Sequence, residues 1–194
     1  SADNIDASYG LAPDDVALCV MPLFHIPGLM ASTMATFSSG GTVIVLPKFD
    51  PMGFWPVASE HGATWYSAVP TMHQLLLMRN RGERPAGSEK LRFIRSSSSA
   101  LSPETMRQLE SRFGAAVLEA YGMTEASHQM ASNPLPPADR RPGTVGAGTG
   151  VRLGIMCWNG GLLPHAAQGA VGIQAPSAFY GFANTPVATA RSFP

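Results

Sequence analysis

The segment 117–128 reads VLEAYGMTEASH, an apolar run followed by a glycine and several oxygen-bearing side chains. The run 117–120 is typical of a buried strand. Ligands of open α/β sheets gather beyond the carboxyl ends of the strands, so we expect a site here. Gly122 would let a ligand approach the backbone, and Thr124 and Glu125 offer groups suited to a phosphate oxygen and to Mg²⁺. The alternative is a turn in which both side chains only cap a helix, and residue chemistry alone favours it.

On both sides of this segment, short apolar runs alternate with stretches of helical period, separated by glycine and proline. The predicted strands are residues 15–21, 42–46, 64–66, 91–94 and 117–120. The predicted helices are residues 28–39, 54–61, 71–79 and 103–113. Pro70 and Ser102 are suited to begin the last two of these helices. The alternation predicts an α/β fold with a layered arrangement.

The composition changes after Ser132, where prolines and glycines become frequent and predict a long irregular segment. Short β-like runs follow at residues 151–156 and 170–174. We therefore expect an α/β part over residues 1–142 and a smaller β-rich part over residues 143–194. The end of the sequence shows weak periodicity and no closing element, as we would expect of a truncated chain.

The composition argues against several classes of protein. The 194 residues include 13 basic and 13 acidic side chains, so no net charge favours nucleic acid or an anionic membrane surface. No apolar run approaches the roughly 18 residues of a membrane span, and no signal-like leader opens the sequence. We expect an intracellular protein, cytoplasmic or peroxisomal, without integral membrane association. Cys19 and Cys157 each lie in an apolar run, which predicts buried thiols and neither a disulfide framework nor a metal site.

The run Tyr121-Gly122-Met123-Thr124-Glu125 is similar to the signature of the adenylate-forming superfamily, which includes acyl-CoA synthetases, aryl-CoA ligases, luciferases and peptide synthetase adenylation domains. Three further segments agree with the superfamily in order and spacing. Residues 21–29 read MPLFHIPGL and residues 169–176 read GAVGIQAP. Residues 95–101 read RSSSSAL, and the resemblance places them in the small-residue loop that passes the adenine. The resemblance implies that this chain is an internal part of the large α/β domain of such an enzyme.

The resemblance also implies roles for individual residues. Nucleotide would contact Ser98, Ser99, Ala100, Tyr121, Gly122, Met123 and Thr124. Thr124 and Glu125 would be the catalytic residues, and Glu125 would hold Mg²⁺. Residues 126–136 read ASHQMASNPLP and resemble the oxalate–CoA ligases of plants and fungi, in which polar residues hold a small dicarboxylate. The acid would contact His25, Ser98 and His128, whose polar groups suit a doubly charged ligand.

Enzymes of this kind join an acid to AMP with release of pyrophosphate and then transfer the acyl group to the CoA thiol. The resemblance therefore implies ATP and CoA as substrates and Mg²⁺ as the metal ion. It gives no information on the oligomeric state. The family's lysine-ended phosphate loop would precede residue 1, and its ribose-binding segment, hinge and small carboxy-terminal domain would follow residue 194. We expect this chain alone to be inactive. A non-catalytic remnant or binding module of the same fold and a ligase for a fatty or aryl acid are the alternatives.

Some positions depart from the family pattern or have simpler interpretations. Ala170, Gln174 and Ala175 replace the family's glutamate, arginine and glycine. Without the motifs, His25 would be a core histidine and the serines 96–99 a polar turn. Packing residues are predicted at Trp55, Trp65 and Trp158, and a solvated loop at Arg140 and Arg141. No metal-ligand spacing links His61, His73 and His165.

Overall fold

A computed structural model describes residues 1–157, 159–164 and 166–193. The interpretations of Trp158 and His165 lie outside the described residues. The helices are α1 (Ala2–Tyr9), α2 (Ala35–Ser38), α3 (Phe54–His61), α4 (Pro70–Arg79), α5 (Pro103–Phe113) and α6 (Pro186–Ser192). A wide, π-type helix over Pro27–Met34 runs directly into α2, and a single 3-10 turn covers Thr124–Ala126.

Nine strands form two sheets in the described chain. They are β1 (Val16–Cys19), β2 (Thr42–Val45), β3 (Trp65–Ala68), β4 (Phe93–Ser96), β5 (Ala116–Met123), β6 (His128–Ser132), β7 (Ala147–Gly148), β8 (Arg152–Met156) and β9 (Ala170–Gln174). The larger sheet has the order β2-β1-β3-β4-β5-β6-β7, and β8 and β9 form an antiparallel pair. The first five strands of the larger sheet are parallel, whereas β6 and β7 are antiparallel additions. The predicted α/β fold is confirmed.

The parallel strands are covered on both faces, as expected for such a sheet. Alternate side chains along β1, β3, β4 and β5 enter two separate apolar clusters. One cluster joins Tyr66 and Ile94 of the sheet to Trp55, Leu76 and Phe113 of α3, α4 and α5. The other cluster joins Ala17, Trp65, Phe93 and Leu118 to Ile5 and Tyr9 of α1 and to Ala31 and Ala35 of the π-type helix and α2.

Several helices begin and end where the sequence predicts. The Ser102 hydroxyl accepts a hydrogen bond from the Thr105 N–H at 3.0 Å and so caps α5, and Pro103 occupies the first helical position. α3 and β9 have the predicted bounds. Trp55 and Trp65 are buried in the core, as predicted.

Other predictions were wrong in position. β4 lies two residues later than predicted, so Arg95 and Ser96 belong to a strand and not to a loop. β5 continues through Tyr121, Gly122 and Met123, which we expected beyond the strand end. The helices α1 and α6 and the strands β6 and β7 were not predicted.

Two smaller predictions also need correction. Cys19 is buried, and burial raises the pKa of its thiol, but the side chain of Cys157 is only half-buried. Arg140 is not a solvated loop residue, because it contacts Glu110 and donates to the Val117 carbonyl at 3.0 Å. Within the described residues, no helix is long and apolar enough to cross a membrane.

Candidate active site

The predicted site residues follow strands that end at one edge of the larger sheet. Because β1, β4 and β5 are parallel, their carboxyl ends lie at the same edge. His25 follows β1, the residues 98–100 follow β4, and Thr124 and Glu125 follow β5. The fold therefore brings all of these segments to a single edge.

The motif residues at 121–123 lie in the irregular end of β5. The register with β6 shifts between Tyr121 and Gly122, as in a β-bulge. A Cβ atom at Gly122 would stand 1.8 Å from the carbonyl oxygen of His128. Gly122 is therefore required by the close approach of β6, a different reason from the ligand contact that we predicted.

Thr124 and Glu125 open the 3-10 turn that joins β5 to β6. Thr124 is exposed and Glu125 is half-buried. Neither side chain caps the turn, so the alternative in which both residues only cap a helix is wrong. The backbone holds the turn, since Ser127 donates to the Thr124 carbonyl at 3.0 Å and Phe179 donates to the Glu125 carbonyl at 2.8 Å. The hydroxyl and the carboxylate remain available to a ligand.

Glu125 is a chemically reasonable single ligand for Mg²⁺. Among the described residues, no group of three or more histidine, cysteine, aspartate or glutamate side chains could hold a metal ion. Mg²⁺ commonly binds one or two protein carboxylates and takes its other ligands from phosphate oxygens and water. A half-buried carboxylate in a turn beyond the strand end fits that arrangement, provided that a phosphate is bound beside it.

The loop after β4 is tight and exposed. Ser98 adopts a left-handed conformation with φ 73°, and Ser98, Ser99 and Ala100 are all exposed. Ser97, by contrast, is buried, and its N–H donates to the Ala68 carbonyl at 3.2 Å. Of the serine run, only its second half can therefore meet a ligand at the surface.

His25 is exposed, and its ring contacts that of Phe24 in a tilted arrangement with centroids 4.6 Å apart, so the core-histidine alternative is wrong. Phe24 is itself 84% exposed. The loop that carries both rings is held at Gly28, where a Cβ atom would stand 2.5 Å from the Pro22 carbonyl oxygen. Two aromatic rings are thus presented at the sheet edge by a loop packed tightly on its own backbone.

Arg95 is a functional candidate that our sequence interpretation placed in a loop. The residue is fully buried, on the α1 face of the sheet, in register with Ser67 of β3. Its guanidinium contacts five side chains, which are Tyr9, Ser67, Ser97, His128 and Gln129. None of these partners is a carboxylate. A charged residue two positions beyond Phe93, and therefore on the same buried face, is the sequence signal that could have identified it.

His128 is buried at the start of β6 and has a positive φ of 93°. Its Nε2 atom lies 2.9 Å from Nη2 of Arg95. Burial, together with the Arg95 charge, lowers the pKa of His128 to about 2. The imidazole is therefore neutral throughout the physiological pH range.

Tyr121 lines an apolar cavity of about 680 Å³ between the end of β5 and the β8–β9 pair. The other walls include Val145, Leu153, Ile155 and Val171. An aromatic ring opposite aliphatic side chains makes a surface suited to a flat, largely apolar ring system. Tyr121 precedes the turn that carries Thr124 and Glu125 by three residues.

Comparisons with known proteins point to one group of enzymes. Residues 1–183 match the family described as AMP-binding enzyme. The oxalate–CoA ligase of Saccharomyces cerevisiae is 44% identical over 190 residues, which cover 98% of this chain and 34% of the yeast protein. The oxalate–CoA ligase of Arabidopsis thaliana is 42% identical over 197 residues, which cover 100% of this chain and 38% of the plant protein.

A solved structure has the same fold. The ATP-bound crystal structure of MatB from Rhodopseudomonas palustris superposes with a TM-score of 0.90 at 32% identity, covering 100% of this chain and 38% of MatB. The chain thus spans about a third of the length of the curated relatives it matches.

Proposed function

Because this chain belongs to the AMP-binding enzyme family, we propose that the complete protein containing it is an acid–thiol ligase that acts on a small dicarboxylic acid, with oxalate as the first candidate. The acid would attack the α-phosphorus of ATP, releasing pyrophosphate and forming an acyl-adenylate. The CoA thiol would then displace AMP from the acyl carbon. Both sequence relatives described above carry the name oxalate–CoA ligase, which supports this choice of acid.

The proposal depends most on the turn after β5, where two oxygen-bearing side chains have no structural role within the turn. The Thr124 hydroxyl and the Glu125 carboxylate stand at the carboxyl edge of a parallel sheet and are not used to cap the turn. Thr124 would donate to a phosphate oxygen, and Glu125 would hold Mg²⁺ against the phosphates. Mg²⁺ bound at this position would neutralise part of the negative charge of the phosphates.

The remaining predicted contacts fit around this turn. The Tyr121 ring on the wall of the apolar cavity would stack on the adenine ring, with Gly122 and Met123 beside it. The exposed loop at Ser98, Ser99 and Ala100 would pass the nucleotide on its other side. His25, Ser98 and His128 would bind the acid.

A fatty or aryl acid fits the described residues less well. The His128 side chain is buried and its Nδ1 atom makes no hydrogen bond among the described residues, and the apolar part of such an acid would offer it no acceptor. A buried donor left without an acceptor costs about 1–3 kcal/mol. The small, doubly charged acid is therefore the better candidate.

The test is oxalate-dependent ATP–pyrophosphate exchange by the complete protein and its Glu125→Gln variant. We expect exchange in the wild type and a loss of at least about tenfold in the variant, since even an outer partner of a metal site contributes that much. Glu104→Gln is the matched control, because Glu104 is exposed on α5 and pairs only with nearby side chains. It should leave exchange unchanged.

Two further samples separate the alternatives. The 194-residue chain alone should show no exchange, since it spans only about a third of the length of the relatives that it matches. Absence of exchange by the complete protein with oxalate, fatty and aryl acids alike would favour the non-catalytic remnant. Faster exchange with a fatty or aryl acid than with oxalate would contradict only the choice of acid.

A further inference from the structure

Arg95 is a buried cation without a counter-ion among the described residues. Its side chain is fully buried, and none of its hydrogen-bond partners carries a negative charge. Burial of an isolated charge is costly, and buried arginines usually pair with a carboxylate. A buried guanidinium that has no counter-ion, close to a candidate active site, therefore indicates that an anion is missing.

The donors of Arg95 are nevertheless all satisfied. Nε donates to Tyr9 Oη at 3.1 Å and to Gln129 Oε1 at 3.2 Å. Nη1 donates to the hydroxyls of Ser67 and Ser97, each at 3.0 Å. Nη2 meets His128 Nε2 at 2.9 Å and Gln129 Oε1 at 3.0 Å. Because every N–H group has an acceptor, Arg95 affects a ligand through its charge and through the side chains that it holds.

Arginine has donors only, and this constrains two of its partners. Gln129 must turn its carbonyl oxygen toward the guanidinium, and His128 must present a lone pair on Nε2. The proton of the neutral imidazole then resides on Nδ1, since the hydrogen bond of one ring nitrogen sets the state of the other.

Both partners are left with a donor that has no acceptor. Among the described residues, His128 Nδ1 and Gln129 Nε2 are buried and make no hydrogen bond. Buried donors are rarely left unpaired, and each unpaired group requires an explanation. Both side chains contact Arg95, so a small anion bound beside them would offer acceptors to these two donors.

We propose that Arg95 is a positioning residue that fixes His128 as a neutral imidazole protonated on Nδ1, so that His128 and Gln129 donate to the spare carboxylate of a dicarboxylic acid. This inference rests on the proposed function. It assigns to Arg95 and Gln129 a part in selecting a doubly charged acid over a singly charged one. The other carboxylate remains free to react with ATP.

The charged groups near His128 are consistent with this assignment. The π-type helix that packs against β6 has no ionisable side chain. The remaining neighbouring elements contribute Asp3, Asp6 and Tyr9 on α1, Glu119 and Tyr121 on β5, and Glu125 in the 3-10 turn. Apart from burial, Arg95 alone lowers the pKa of His128.

The first test is NMR of the complete protein labelled with ¹⁵N-histidine, with the His128 signal assigned by its loss in His128→Asn. In the wild type, we expect a neutral ring protonated on Nδ1 from about pH 5.5 to pH 8. In Arg95→Met, the proton should move toward Nε2 and the ring should begin to titrate in this range. Arg92→Met is the matched control, because Arg92 contacts Asp15 and the backbone of α1 but not His128. It should leave the signal unchanged.

The second test is the KM for each substrate in the same variants. Arg95→Met should raise the KM for oxalate at least about tenfold, with a much smaller effect on the KM for acetate and for ATP. Arg95→Lys keeps the charge without the planar fork, so it should recover part of the oxalate affinity. If Arg95→Met does not fold, both measurements are made on Arg95→Lys. For this variant we expect an intermediate KM for oxalate and a mixture of the two His128 tautomers.

An unchanged His128 tautomer together with an unchanged KM for oxalate would overturn the inference. An equal rise of the KM for oxalate and acetate would also overturn it, because Arg95 would then have only a structural role. Absence of acid-dependent exchange in the wild type contradicts the proposed function instead, and the NMR experiment still decides whether Arg95 sets the state of His128.

Discussion

Gly122 is the single residue on which the junction of β5 and β6 most depends. We expect Gly122→Ala to lower the free energy of unfolding by about 3 kcal/mol or more, because the added methyl group meets the His128 backbone and not a flexible side chain. Urea denaturation of the complete protein measures the effect. Gly82→Ala is the control, since nothing lies within 4 Å of a Cβ atom at Gly82. Similar stability of the two variants would contradict the strand geometry at Gly122.

The residues of the candidate site differ in how far they could be predicted. Thr124, Glu125 and Ser98 could be identified because they lie in segments that resemble known motifs of a superfamily. Arg95 was missed for a physical reason. Charged side chains are rarely buried, so the prediction ended this strand before Arg95, and only partners distant in sequence make this burial possible. Tyr9 and Gln129 are 86 and 34 residues away from Arg95.

At the scale of secondary-structure elements, α5 shows how a local signal determines a boundary. Ser102→Ala should lower the free energy of unfolding by about 1 kcal/mol, since the hydroxyl accepts the Thr105 N–H at the start of the helix. Ser111→Ala is the control within the same helix, because the Ser111 side chain is exposed to solvent and lies far from the capped end of α5. Thermal unfolding of both variants checks the difference, and equal losses would show that the cap contributes nothing.

Elements without such local signals were predicted poorly. β6 has the sequence HQMAS, which contains no β-branched residue, and its pairing with β5 sets its conformation. α1 is polar at half of its positions and buries only Ile5 and Tyr9, so it offers few apolar residues from which to predict a helix. In contrast, α3 and α5 bury larger apolar faces, and their bounds agree with the prediction.

At the scale of the whole molecule, the alternation of strands and helices was enough to predict the fold class but not the two antiparallel strands that complete the sheet. Parallel strands joined by helices follow from the order of elements along the chain. β6 and β7 depend on a bulge and on an irregular segment whose path has no periodic signal. The division at residue 143 stays a prediction.

The stability of the molecule should fall below neutral pH because histidines are buried in their neutral form. Burial lowers the pKa of His73 from its ordinary value of 6.5 to about 4, and its Nδ1 atom lies 3.4 Å from the Tyr66 hydroxyl. Between these two values the unfolded chain binds more protons than the folded chain, so the free energy of unfolding decreases as the pH falls. By pH 4, the burial of neutral His73 should have lowered the free energy of unfolding by about 3 kcal/mol relative to neutral pH.

Urea denaturation between pH 4 and pH 7 tests this effect. The quantity to compare is the slope of the free energy of unfolding against pH, and not its absolute value. His73→Phe removes a titrating ring from the core, so the decrease with falling pH should become smaller but should not vanish, because His128 is also buried and neutral. His61→Asn is the matched control, since His61 is exposed at the end of α3 and its replacement should preserve the wild-type slope. An identical slope in His73→Phe and the wild type would mean that His73 is not kept neutral by burial, and the packing of α4 on β3 would then need to be revised.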